Sequence, residues 1–128
     1  MSDTLSYNIE LDHENIIQDK KPQVDALIDM LGLNSYINSL SDSFETTINE
    51  HSTNISGGEK QKLSILRTLL KDPDVIIIDE PSSALDEASN NALKQYLQQL
   101  KEQKIIIIIT HDHEFINISD MVVQMEKI

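Results

Sequence analysis

An α/β fold with parallel strands is what this sequence predicts, and three stretches predict it. Val75-Ile76-Ile77-Ile78 and Ile105-Ile106-Ile107-Ile108-Ile109 are short, continuous and β-branched. That is the pattern of strands covered on both faces rather than one. Between them Leu85, Ala88, Ala92, Leu93, Tyr96, Leu97 and Leu100 recur at helical spacing. Strand, helix, strand is a βαβ unit, whose strands run parallel through a right-handed crossover. Open sheets of this kind take their ligands at the carboxyl ends of the strands. One strand runs into Asp79-Glu80 and the other into Thr110-His111-Asp112. The topology therefore brings carboxylates, a hydroxyl and an imidazole to one edge, a set suited to metal-assisted hydrolysis of a phosphate or ester.

The stretch before this unit reads as mostly helical. Met1 to Asn8 is short and polar, and Ile9-Glu10-Leu11 is expected to be a brief extended piece. Asp12 to Pro22 reads as a loop with a helical turn. Pro22 suits the first turn of a helix, and Val24, Leu27, Ile28 and Leu31 give that helix an apolar face until Gly32 ends it. A short helix is expected around Tyr36, Ile37 and Leu40. A polar loop follows from Ser41 to Asn54, anchored by Phe44 and Ile48. From Ser56 a helix with Leu63, Leu66, Leu69 and Leu70 on one stripe runs to Leu70, and Lys71-Asp72-Pro73 stops it. After the second strand the expectation is a short helix near Glu114–Ile118 and a last strand near Met121–Met125.

Composition bounds the partners. The 128 residues carry 22 acidic against 10 basic side chains, a formal net charge of −12. Nucleic-acid surfaces need clustered Lys and Arg, so no nucleic-acid partner is expected. There is no cysteine. Neither apolar run approaches the roughly 20 residues of a membrane-spanning helix, so no direct insertion into a membrane is expected. Met1-Ser2-Asp3-Thr4 has neither the basic region nor the apolar core of a secretory signal. The expected compartment is the cytoplasm.

Ser56-Gly57-Gly58-Glu59 carries chemistry of another kind. Ser56 and Glu59 have the spacing of a capping box. Gly57 and Gly58 leave the backbone N–H groups of the first helical turn uncovered. A hydroxyl beside uncovered amides at a helix N-terminus suits an anion, above all a phosphate.

These pieces together resemble the nucleotide-binding domain of ABC ATPases. Ser56-Gly57-Gly58-Glu59 is similar to the family's signature motif, with Ile55 in place of the usual Leu and Glu59 in place of Gln. Val75 to Glu80 resembles the Walker B strand with its catalytic Glu, Ser83 to Asp86 the D-loop, and Thr110-His111-Asp112 the H-loop. Each piece alone is common; their order and spacing together are specific. Met1 to Ile9 and Phe44 to Glu50 are similar to two segments of exporter-type domains, although His51 and Ser52 depart from the Arg-Gly usual there. Gln18 lies too near the signature to be the Q-loop glutamine and reads as a surface residue.

The roles follow in part from the residues and in part from the resemblance. Asp79 is placed to hold Mg²⁺ through water. Glu80 would orient or deprotonate the attacking water, and His111 would contact the γ-phosphate. A zinc site at His111-Asp112-His113 lacks a third ligand at a known spacing. The resemblance implies that Ser56, Gly57, Gly58 and Glu59 grip the γ-phosphate of ATP in trans, across a head-to-tail dimer with a second nucleotide-binding domain. It implies that Asp86 crosses the same interface. Transmembrane domains of a transporter would be further partners, which would hold the chain at the inner face of the cell membrane.

A P-loop needs G-x-x-x-x-G-K-[S/T], and none of the three glycines, Gly32, Gly57 and Gly58, precedes a Lys at that spacing. The resemblance covers nearly all of this chain but only the later part of the family domain. The chain is therefore expected to be a fragment: residues 1–72 a helical subdomain bearing the signature, residues 73–128 a partial α/β core. The expected function is the ATP-hydrolysing component of an exporter, with little turnover by this chain alone. Two other readings stand beside it: a non-catalytic module offering its signature to a partner's P-loop, and a soluble ABC-type ATPase.

Overall fold

The computed structural model describes residues 3–10, 15–40, 42–48 and 55–127. In chain order the elements are β1 (Asp3–Thr4), α1 (Leu5–Glu10), α2 (Ile16–Asp19), α3 (Lys21–Met30), α4 (Asn34–Ser39), a 3₁₀ turn (Ser43–Glu45) and β2 (Thr47–Ile48). Then come α5 (Gly57–Leu70), β3 (Val75–Asp79), a second 3₁₀ turn (Pro81–Ser83), α6 (Glu87–Leu100), β4 (Ile105–Ile109) and α7 (His113–Asn117).

The βαβ unit forms as expected. β3 and β4 pair in parallel, Val75 opposite Ile105 through to Asp79 opposite Ile109. Both strands therefore end level, and whatever follows them shares one edge. α6 opens on Asp86, whose carboxylate accepts from the Ser89 backbone N–H at 2.8 Å, an N-cap that holds the helix start beside that edge. At the opposite end of the sheet Lys104 Nζ bonds the carbonyls of Asp72 and Pro73 and pairs with the Asp72 carboxylate, clamping the entries to both strands.

The helical half packs by its periodicity. α3 has Pro22 in its first turn and buries Val24, Leu27 and Ile28. Gly32 ends it at φ +66°, while the Leu33 N–H reaches back to the Ile28 carbonyl. A left-handed residue closed by such a bond satisfies the last carbonyls of the helix. α5 buries Leu63, Ile65, Leu66, Leu69 and Leu70, against α1 and α3 on one side and β3 on the other. A single apolar cluster runs from Leu5 through α3 and α5 to Ile76, Ile78, Leu93, Leu97 and Phe115. Each fully buried Leu in it is worth ~1.5–3 kcal/mol.

Three expectations are corrected. Ile9-Glu10 is not extended: Leu5–Glu10 is a helix, because Leu5 and Ile9 lie four residues apart and both enter the core. Thr4 starts it, its hydroxyl accepting from the Tyr7 N–H and its carbonyl from the Asn8 amide. Leu11 lies outside the described residues. Ile105–Ile109 is not buried on both faces, since Ile105, Ile107 and Ile109 are exposed while Ile106 and Ile108 are half-buried. β3 alternates likewise, with Ile76 and Ile78 in the core and Val75 and Ile77 exposed. The helices cover one face of the sheet, and among the described residues nothing covers the other. Met121–Met125 is no strand: it pairs with no described strand and its apolar side chains face outward. The loop from Ser41 to Asn54 also holds more than expected. Its Thr47 and Ile48 pair antiparallel with Thr4 and Asp3, joining the two segments that resemble exporter domains.

Candidate functional site

Glu80 is the first residue past β3, and its backbone is unusual. It sits at φ 46°, ψ 56°, left-handed for a residue with a Cβ. That conformation costs roughly 1–2 kcal/mol and persists only where neighbours enforce it. Several do. The Glu80 N–H extends the sheet by one bond, donating to the Ile109 carbonyl at 2.7 Å. The Glu80 carbonyl accepts from the Gln61 side-chain amide at 2.8 Å and from the Ser83 hydroxyl at 2.9 Å. Pro81, buried, follows at once and starts the 3₁₀ turn. The consequence is a carboxylate turned across the end of the sheet.

There it meets His111, which the end of β4 delivers. Glu80 Oε1 lies 2.9 Å from His111 Nδ1. A carboxylate only accepts, so Nδ1 carries the proton and Nε2 is left on the outward edge. The imidazole is 92% exposed and the Glu80 side chain 35%. His111 is held from behind: the Thr110 hydroxyl accepts from the Asp112 N–H, and Asp112 caps α7 by accepting from the Glu114 N–H. Glu114 pairs with Lys94 of α6, which is buried and lies 5.5 Å from the Phe115 ring centre. Asp79 is exposed beside the pair at the last position of β3.

The signature segment builds a different surface. Ser56 Oγ accepts from the Glu59 N–H at 3.1 Å and Glu59 Oε2 from the Ser56 N–H at 3.1 Å, a complete capping box. Ser56 keeps its hydroxyl proton for donation. Neither Gly57 nor Gly58 has a positive φ. A Cβ at Gly57 would meet nothing within 4 Å, and one at Gly58 only Ser56 Oγ at 3.7 Å. Among the described residues no neighbour requires the glycine at 57; its absent side chain keeps the first amides of α5 open from outside. That fits a phosphate arriving there. Glu59 also faces Tyr36 of α4: burial first, then the Glu59 carboxylate, raise the phenol above its usual range.

The expected site residues thus fall into two groups. Asp79, Glu80 and His111 come together at the sheet edge. Ser56, Gly57, Gly58 and Glu59 form a separate helix start, and none of their side chains is hydrogen-bonded to the first group among the described residues. Asp86 belongs to neither group and caps α6, its carboxyl held below the usual range first by the Ser89 N–H and then by the Ser89 hydroxyl. Gln18 is exposed, as expected. Among the described residues no group of three or more His, Cys, Asp or Glu is placed to hold a metal ion. Mg²⁺ does not need one, since it binds through one or two carboxylates plus phosphate oxygens and keeps several waters. The donor set at Asp79 therefore fits that ion. Sequence reasoning missed Gln61 and Lys94 as supports, and it named Thr110 without its bond to the Asp112 N–H. Only Thr110-His111-Asp112 left a local signal, a hydroxyl two residues before a helix-capping Asp.

A family model described as ABC transporter matches residues 2–83. The chain is 29% identical over 126 residues to an ATP-dependent lipid A-core flippase of Aliivibrio fischeri, covering 98% of this chain and 21% of the flippase. It is 34% identical over 110 residues to ABC transporter B family member 6 of Dictyostelium discoideum, covering 86% of this chain and 16% of that protein. Among solved structures it resembles a bacterial Atm1-family ABC exporter with ATP bound, at TM-score 0.69 and 29% identity, covering 89% of this chain and 19% of the exporter. The chain spans between about a sixth and a fifth of the length of the relatives named here. Among the described residues no helix is long and apolar enough to cross a membrane. The match over most of the chain, the parallel sheet and the similarity to full exporters converge: the chain belongs to the ABC transporter family, as part of an exporter-type ATP-binding domain.

Proposed function

We propose that this chain supplies the signature and Walker B portion of an ATPase that drives export, working as a head-to-tail pair of nucleotide-binding domains beneath transmembrane domains. The observation that carries the reading is the Glu80–His111 pair, 2.9 Å apart where two parallel strands end level. Glu80 orients and accepts a proton from the attacking water, and His111, when Nε2 is protonated as well as Nδ1, donates from its outward edge to the transferred phosphate. Asp79 holds Mg²⁺ through water, and Mg²⁺ bound there neutralises phosphate charge as it develops. Ser56 and the amides of Gly57 and Gly58 close on the γ-phosphate held by the other domain. Asp86 lies on that same interface. The relatives named above include an ATP-dependent flippase and an exporter solved with ATP, which supports ATP as the nucleotide; the inner face of the cell membrane is the proposed location. Within this reading residues 1–72 act as the helical subdomain and 73–128 as the partial α/β core.

The test is Gly57→Asp in a domain completed by a P-loop segment from a relative. An acidic side chain in the first turn favours the helix dipole, and the space it needs is open. The melting temperature should hold or rise, while ATP·Mg²⁺-driven pairing, read by sedimentation, is lost by charge repulsion. Undiminished pairing in this variant would remove the α5 N-terminus from the phosphate site.

A further inference from the structure

Gln61 lies one turn into α5 from the open glycine pair and spends both ends of its side chain on the turn that carries Glu80. Its Nε2 donates to the Glu80 carbonyl at 2.8 Å and approaches the Asp79 carbonyl at 3.4 Å. Its Oε1 accepts from the Ser83 hydroxyl at 3.0 Å. That hydroxyl has one proton, shared between Gln61 and the Glu80 carbonyl, so the three groups form a closed ring of polar contacts. Only an amide offers a donor and an acceptor on one short fork; Glu lacks the donor, and Leu lacks both. The residue so held is the strained one, the left-handed Glu80, whose carboxylate direction depends on that backbone. One turn before Gln61 on the same helix is the Ser56–Glu59 cap.

We infer that Gln61 is a positioning residue that couples the two ends of the site: a displacement of the α5 N-terminus, such as a phosphate at Ser56-Gly57-Gly58 would cause, is passed through Gln61 to the direction of the Glu80 carboxylate. The inference rests on the proposed function for its consequence. If the signature end serves one nucleotide and Glu80 another, Gln61 is the connection within one chain between two nucleotide sites. Packing of α5 on β3 offers a parallel route, so the contribution of Gln61 has to be read as a coupling and not as a stability change.

The experiment needs no nucleotide and uses the 128-residue chain itself. Ser56→Ala disturbs the cap, and the imidazole resonance of His111, assigned with His111→Gln, reports the position of Glu80. Ser56→Ala is measured in the parent chain, in Gln61→Leu and in Gln61→Glu, with hydrogen exchange along 63–70 as the control for helix stability. The expected result is a shifted His111 resonance and at least about twofold faster exchange at the Ser83 amide in the parent chain. Both responses are absent in the two Gln61 backgrounds, while 63–70 responds equally in all three. Equal His111 and Ser83 responses in every background would overturn the inference, as would no response in the parent. Gln61→Glu keeps the polarity and length of the native side chain, so a failure of Gln61→Leu to fold does not remove the test. These readouts involve no nucleotide and stand whether or not the two ends serve different nucleotides, which separates failure of the coupling from failure of the proposed function.

Discussion

Residues 1–128 produced as a separate polypeptide should sediment as a dimer or larger species rather than as a monomer. The open face of the sheet presents Val75, Ile77, Ile105, Ile107 and Ile109, each 46–63% exposed, and Met121, Val122, Val123 and Met125 add a second apolar patch. The whole chain exposes 8337 Å². A compact monomer of 14.5 kDa is expected to expose about 6,900 Å². The excess exceeds the roughly 800 Å² per partner that a stable interface buries. The two-stranded sheet also has an unpaired outer edge on each strand among the described residues, and such edges are templates for pairing. A second copy carries the matching face and edge, and no other chain is needed to supply them. The net charge of −12 opposes the pairing, so added salt should strengthen it by screening. Ile107→Lys places a charge on the open face without touching the core and should give a folded monomer. A sharply monomeric parent chain at high salt, with slow amide exchange across Ile105–Ile109, would contradict this.

Glu80→Gln should separate binding from chemistry. In a domain completed by a P-loop segment, the amide cannot take a proton from water, and hydrolysis should fall by ~10²–10⁴, the usual worth of a general base. The substitution leaves the rest of the turn in place. The Glu80 N–H still reaches Ile109, and its carbonyl still accepts from Gln61 and Ser83. A Gln side chain at 80 can also still bond His111. ATP·Mg²⁺ should therefore still bind and should accumulate as an unhydrolysed paired state, visible by sedimentation. Steady phosphate release within threefold of the parent, a change of the order of RT and far below ~10², would mean that another group does the work of Glu80.

What could be read from the sequence was local. The capping box at Ser56–Glu59 and the end of α3 at Gly32 are each written within a few residues, the parallel β3–β4 pair follows from the strand–helix–strand order, and each formed. The misreadings have separate causes. An isoleucine run has the same periodicity whether one face of its sheet is covered or both, so Ile105–Ile109 could not report how many layers lie over it. Met121–Met125 has strand composition, but a strand exists only with a neighbour to bond. Leu5–Glu10 hid a helix because polar residues occupy half of its six positions and only Leu5 and Ile9 mark its buried face. In the site, residue types and order were legible. The left-handed backbone of Glu80 and its ties to Gln61 were not, because they are made by a helix 19 residues away and leave no pattern around position 80.

The central claim is that Glu80 and the Ser56-Gly57-Gly58 end serve different nucleotides. Phosphate release from mixed variants of the completed domain tests it most directly. Glu80→Gln and Gly57→Asp are each inactive alone. In a head-to-tail pair containing one of each, both defects fall on the same site and the other site has an intact Glu80 facing an intact glycine pair. Mixing the two inactive proteins should therefore restore turnover, approaching that of one working site per pair. If the two ends acted on the same nucleotide within one chain, each site in the mixed pair would keep one defect. No recovery on mixing, with pairing itself verified, would contradict the account.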